Sequence, residues 1–173
     1  MSLDRLWAGW RTAYVESAAA TPESESTSPF TAILASGLPD TDTHIVWRGE
    51  HCFAILNAFP YTNGHLMVMP VREVGELDDL TPAEHDELWA GVTMAVRAIR
   101  AAYRPDGVNL GMNIGRAAGA GVPSHLHVHV LPRWNGDTNF MTAVAEVRVM
   151  PETLSSSAAK IRTAWARSLR GDG

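Results

Sequence analysis

The sequence predicts an α+β domain: a mainly antiparallel five-stranded sheet packed with one long helix and one C-terminal helix, preceded by a helical extension. Three observations lead there. Short runs with period-two alternation recur at five places between residues 44 and 133. A single long amphipathic segment interrupts them after the third run. The resulting order, strand, strand, strand, helix, strand, strand, differs from the alternating units that build a parallel sheet.

Each element has its own local reason. Residues 3–16, LDRLWAGWRTAYVE, put Leu3, Leu6, Trp7, Trp10 and Tyr14 at helical spacing, an aromatic face suited to packing on the domain or on a partner subunit. The following SAAATPESESTSP is polar and rich in small residues, so it reads as a flexible connection. Residues 1–29 are thus expected to be helix and tether, 30–150 the domain, and 151–173 a closing helix and tail. HIVWR and HCFAILN flank Gly49 and Glu50 and predict a β-hairpin. HLMVMP at 65–70 is a third strand, entered through the turn PYTNG. For the helix at 81–103, Thr81 is the expected N-cap, Pro82 suits the first helical position and Glu84 completes a capping box. Leu88, Val92, Ala95, Val96 and Ile99 carry its apolar face, and RPDG ends it. VNLGMNI (108–114) and LHVHVLPR (126–133) are the last two strands, and a second helix is expected at 151–169.

Composition narrows the function. A chain of 173 residues suits one domain with a proper core. No apolar run approaches the roughly 18 residues of a membrane span, and MSLDRLWAGW has no basic-then-apolar secretory pattern. Cys52 is the one cysteine, which excludes an internal disulfide framework and a thiolate-rich zinc site. A cytoplasmic protein is expected. The net charge is −5 and Lys160 is the one lysine, so neither nucleic-acid binding through a basic patch nor a Walker-type loop is expected. A small phosphate ester needs only a few aimed donors and stays open.

The chemistry concentrates in SHLHVHVLPRW, residues 124–134. On a strand His125, His127 and His129 share one face while Leu126, Val128 and Val130 share the other. The aliphatic face suits a helix-covered core, and the imidazoles would look outward onto whatever lies across that sheet surface. Two functions compete for them. A metal could take two neighbouring imidazoles with a distant third ligand such as His65, although three in a row would fan awkwardly around one ion. Alternatively a neutral imidazole attacks phosphorus, its tautomer fixed by a hydrogen bond at the other nitrogen. The middle histidine is then the natural nucleophile. Just upstream, GMNIGRAAGAGVPS supplies glycines beside Asn113 and Ser124, and glycine lets backbone approach an anion closely. Serine chemistry and a Rossmann site lack their motifs.

These residues resemble the histidine-triad (HIT) family, whose His-φ-His-φ-His-φ-φ pattern (φ apolar) is met throughout HLHVHVL, residues 125–131. FAILNAFPYTNGHLMVMP is similar to the family's second signature, with Asn57 eight residues ahead of His65. The likeness covers roughly residues 30–150, and LWAGWRTAY and PRWNGDTNFM resemble a bacterial subgroup near the fragile-histidine-triad hydrolases and diadenosine tetraphosphate phosphorylases. The resemblance implies a HIT-like domain acting as a homodimeric enzyme on an adenine nucleotide, cleaved at its α-phosphate through a nucleotidyl-histidine. It implies that His127 is the nucleophile, that His125 and His65 fix the site, and that His129 assists the leaving group. Asn57 would contact ribose. Asn113 and the backbone from Gly119 through Ala120, Gly121 and Pro123 to Ser124 would hold phosphate. Phe30, Ile33 and Ile55 would form an apolar purine pocket, a role that core packing could equally explain. No resident cofactor is implied beyond a divalent cation carried in with the substrate phosphates. Rival readings are a nucleoside phosphoramidase and a nucleotide-binding protein with negligible turnover.

The chain also departs from the resemblance. Many relatives carry a Cys-x-x-Cys near residues 29–33 that helps hold structural zinc; here the text is SPFTAIL, so no metal site is expected. Where the fragile-triad branch has a glutamine in the loop, this chain has Ala120, which argues against efficient dinucleoside triphosphate hydrolysis.

Overall fold

The computed structural model describes residues 28–137 and 150–170. The aromatic segment at 3–16 and most of the connection after it lie outside the described residues, as does the stretch 138–149. The chain opens with two short helices, α1 (Pro29–Ala35) and α2 (Asp40–Thr43), then strands β1 (Ile45–Arg48), β2 (Cys52–Leu56) and β3 (Leu66–Pro70). The long helix α3 (Pro82–Tyr103), β4 (Gly107–Met112), β5 (Val128–Arg133) and α4 (Leu154–Arg170) complete it. The sheet order is β1-β2-β3-β5-β4 and every neighbouring pair is antiparallel. The expected α+β class and five-stranded sheet are therefore what the chain forms.

Local chemistry explains the long helix. Thr81 Oγ1 accepts the Glu84 N–H at 3.3 Å and Glu84 Oε2 accepts the Thr81 N–H at 2.8 Å, the capping box read from the sequence. Arg72 pairs with both Glu84 oxygens and holds that carboxyl well below its usual range, at about 2. One turn further on, Glu87 reaches the first hairpin. Its Oε1 accepts the Glu50 N–H at 3.0 Å, and its Oε2 accepts the N–H groups of His51 and Cys52. A single carboxylate thus satisfies three turn donors and docks the hairpin onto α3.

Strand parity sorts the core into two layers. Ala54, Leu56, Leu66, Val68, Val128 and Val130 face α3 and α4, where Leu88, Ala95, Ile99 and Ile161 are fully buried. Ile45, Phe53, Ile55, Met67 and Met69 form a smaller cluster on the opposite face, covered by Phe30, Ile33 and Leu34 of α1. His129 is registered between Met67 of β3 and Gly111 of β4, so it belongs to this second face.

Several expected boundaries move. Ser28 and Pro29, read as part of the tether, instead begin α1: Ser28 caps it and is 2 % exposed. An N-cap serine followed by proline is itself a helix-start signal. The fourth strand ends at Met112 rather than at 114, and the fifth begins at Val128 rather than at 126. Ahead of β5 the Leu126 N–H turns to the Val74 carbonyl at 2.6 Å, so this part of the histidine segment is held by the chain just past β3. Among the described residues no helix is long and apolar enough to cross a membrane.

Candidate active site

Four histidines form one group: His65 is hydrogen-bonded to His129, His129 packs on His127, and Phe30 of α1 packs on His127 and His125. His65 and His125 are 0 % exposed, His127 6 % and His129 8 %. What lies across the histidine face of the sheet is thus a covering layer, and it includes Phe30. Its ring centroid lies 5.4 Å from that of His125 and 5.6 Å from that of His127, while His127 and His129 are 4.8 Å apart.

The hydrogen bonds set the tautomer of every ring, because several partners can act in only one way. A carbonyl only accepts, so His127 Nδ1 donates to the His125 carbonyl at 2.8 Å and Nε2 keeps its lone pair. His125 Nε2 likewise donates to the Pro70 carbonyl at 2.8 Å, which leaves Nδ1 to accept from the Ser28 hydroxyl at 2.9 Å. A backbone N–H only donates, so His65 Nδ1 accepts from Tyr61 N at 3.1 Å and His65 Nε2 donates to His129 Nδ1 at 2.8 Å. His129 is thereby left with its proton on Nε2. Burial depresses the pKa of His125 and His127, and with the neighbouring His127 it lowers that of His129 to about 4. The three rings of the triad are neutral near pH 7, so the site offers one bare nitrogen lone pair beside one N–H donor.

The loops that deliver these rings are shaped by glycine where the backbone requires it. Gly64 (φ 75°) turns the chain into His65, and a Cβ there would sit 2.6 Å from the Tyr103 ring. Gly119 (φ 90°) closes the short helical turn Arg116–Ala118, and its carbonyl accepts from Asn113 Nδ2 at 3.4 Å. Asn113 therefore braces the glycine-rich loop from within. Ala120 is buried within that loop, whereas Gly121 and Ser124 are exposed and Pro123 half-buried. Asn57 Oδ1 accepts the Phe59 N–H at 2.9 Å, a turn that leaves its amide nitrogen available. Of the three apolar residues expected to form a pocket, Phe30 stands against the triad, Ile33 packs on the small cluster, and Ile55 is 3 % exposed within it.

Three participants were not read from the sequence. Ser28 touches His125 across 97 positions. Tyr61 supplies the N–H that orients His65, and its ring lies 4.6 Å from that ring and 6.0 Å from His129. Glu73 accepts from Ser28 N at 3.0 Å and from Ser124 Oγ at 2.6 Å, and these two donors hold its carboxyl below the ordinary range. The cap signal at Ser28 was present in the sequence. For Glu73 nothing local pointed to a role.

Comparison with known proteins adds independent findings. A family model, the HIT domain, matches residues 39–136. The chain is 43% identical over 169 residues, 95% of its length and 86% of the relative's, to AP-4-A phosphorylase of Mycobacterium tuberculosis. It is 35% identical over 95 residues to the asymmetrical bis(5'-nucleosyl)-tetraphosphatase of Schizosaccharomyces pombe, covering 55% of this chain and 52% of that one. Among solved structures, a Zn-bound histidine triad family protein from Mycobacterium smegmatis superposes with a TM-score of 0.68 at 30% identity, over 85% of this chain and 98% of that one. Both His125 nitrogens and both Glu73 oxygens are engaged in hydrogen bonds, and burial pushes the Cys52 thiol up to about 12. Among the described residues no group of three His, Cys, Asp or Glu could hold a metal ion.

Proposed function

This chain belongs to the HIT domain family, and from that membership we propose that it splits a diadenosine polyphosphate, with diadenosine tetraphosphate as the preferred substrate and inorganic phosphate as the acceptor. The observation that carries the reading is the His127 Nδ1–H bond to the His125 carbonyl, which aims a bare Nε2 lone pair out of a wall of neutral imidazoles.

In the first step His127 Nε2 attacks the α-phosphorus and the bond to the bridging oxygen breaks. AMP is left on His127 and ATP departs as an oxyanion of low basicity, which His129 Nε2–H stabilises by a hydrogen bond without a full proton transfer. The charge that grows on the His127 ring is met at Nδ1–H by the His125 carbonyl. In the second step an oxygen of inorganic phosphate attacks the same phosphorus, releasing ADP and the free imidazole. His65 holds the His129 tautomer throughout. Asn57 is assigned to ribose, Asn113 and the loop from Gly119 to Ser124 to the phosphates, and Phe30 with Ile33 and Ile55 to the purine side. A divalent cation would enter with the polyphosphate, not as a resident group.

The name of the Mycobacterium tuberculosis relative, shared over nearly the whole chain, favours phosphorolysis; that of the Schizosaccharomyces pombe relative keeps hydrolysis as the second reading. We take the working unit to be a cytoplasmic homodimer, a reading supported by the edge strand β4, where Leu110 is 51 % exposed, and by Ile114 just past its end, 37 % exposed. The deciding experiment incubates the protein with diadenosine tetraphosphate, with and without inorganic phosphate, and separates the products. ATP plus ADP only with phosphate is the expected result. ATP plus AMP without it selects hydrolysis. No product from either condition overturns the reading, and AMP released only from an adenosine phosphoramidate reassigns the enzyme.

A further inference from the structure

Resting on His127 as the nucleophile, we propose that Glu73 is a positioning residue that holds the nucleophile's tautomer from outside the site, through Ser28, Ser124 and His125. Its carboxylate joins three segments that are distant in sequence. Oε2 accepts the Ser28 N–H at the start of α1, and Oε1 accepts the Ser124 hydroxyl beside the triad. Glu73 itself sits just beyond β3, next to Val74, whose carbonyl takes the Leu126 N–H.

The consequence reaches His127 in two steps. Ser28 is almost wholly buried, and with its backbone held by Glu73 its hydroxyl is aimed at His125 Nδ1. With the Pro70 carbonyl at the other nitrogen, both ends of the His125 ring are fixed. Fixing this ring also fixes the His125 carbonyl, which is the acceptor that keeps the His127 proton on Nδ1. Ser28 Oγ also accepts the Phe30 N–H, at 3.3 Å, so the same clasp sets the ring that packs on His125 and His127. Loosening it lets His127 adopt the Nε2–H form, in which the attacking lone pair is gone. Ser28 lies ahead of the residues 39–136 that the family model matches, whereas Glu73 and Ser124 lie within them.

The test reads the imidazole nitrogens of the 15N-labelled full chain by NMR near neutral pH, alongside turnover of diadenosine tetraphosphate. In the unsubstituted protein His127 is a single Nδ1–H tautomer and His125 a single Nε2–H tautomer. In Glu73→Ala His127 shows both tautomers, kcat falls about 10- to 100-fold and KM moves less than about threefold, the scale on which outer hydrogen-bond partners of functional histidines act. Glu73→Gln restores both readouts, because its carbonyl oxygen can accept from Ser28 N and its amide can donate to Ser124 Oγ. Should Glu73→Ala fail to fold, Ser28→Ala removes only a hydroxyl and must mix the same tautomers. A single His127 tautomer in the alanine variant, or a Glu73→Gln variant as impaired as Glu73→Ala, overturns the proposal. The tautomer readout does not depend on turnover, so an inactive wild-type protein would sink the functional reading and still leave the clasp decided.

Discussion

The two faces of the sheet are made by alternate residues of the same strands, yet they are covered differently. On one face the 22 residues of α3 and the 17 of α4 seal a continuous aliphatic layer, with Leu88, Ile99 and Ile161 at 0 % exposure. On the other, the 7 residues of α1 lie over a small apolar cluster and two of four buried imidazoles, His125 and His127. Removing apolar surface from water stabilises the first face at about 25 cal/mol per Å². The second face buries groups that would rather be hydrated, and hydrogen bonds satisfy both nitrogens of His125 and His65 while His127 and His129 are each bonded at Nδ1. On the proposed reading, stability and reactivity are thus separated by strand parity, a distance of one residue along the chain.

Three measurements would sharpen or break that separation. The largest effect is expected on the histidine face: His127→Ala should lower turnover by at least about 1000-fold while stability to urea changes by less than about 1 kcal/mol. A large loss of stability with activity retained would reverse the assignment of the two faces. On the helix face Leu88→Ala should do the opposite, costing about 2–5 kcal/mol in urea unfolding and leaving kcat of the folded protein within about twofold. A variant whose kcat falls in step with its stability would show that the layers are coupled. The smallest effect is in the dependence of stability on pH. Folding depresses the pKa of His129 from 6.5 to about 4, so the unfolded chain binds the proton more readily and stability falls as pH drops between those values. Glu84 on the helix side falls from 4.5 to about 2, so its contribution is lost only at more acid pH, as it too becomes protonated. Thermal melts of His129→Gln should reduce the slope in the upper window, where His125 and His127 also contribute, and leave the lower one. An unchanged slope above pH 4.5 would exclude His129 as its source.

Much of the architecture was legible in local sequence. The capping box at Thr81, the hairpin around Gly49 and the five alternating runs all form, since each depends on residues a few positions apart. The start of α1 was missed because a Ser-Pro pair at the end of a polar, small-residue stretch reads first as a linker, although the same pair is a cap. In the site, the spacing of the histidines is enough to group three imidazoles on one side of a strand, and the resemblance singles out the middle one. What covers that side was left open, because alternation tells which side chains share a side, not what lies over it.

By itself, then, the sequence determined the class of the fold, the separation of histidine from aliphatic side chains and the glycine-rich approach to them, because these follow from the period of a strand and the freedom of glycine. Burial of the imidazoles, the proton on each ring, and the roles of Ser28, Glu73 and Tyr61 were decided by tertiary structure. The Ser28–His125 contact spans 97 positions and the Glu73 contacts span 45 and 51. Contacts of that reach exist only once the strand order has brought the start of α1, the exit of β3 and the triad segment to one place. A donor and its acceptor carry no mark of each other in the chain until the fold sets them within hydrogen-bonding distance.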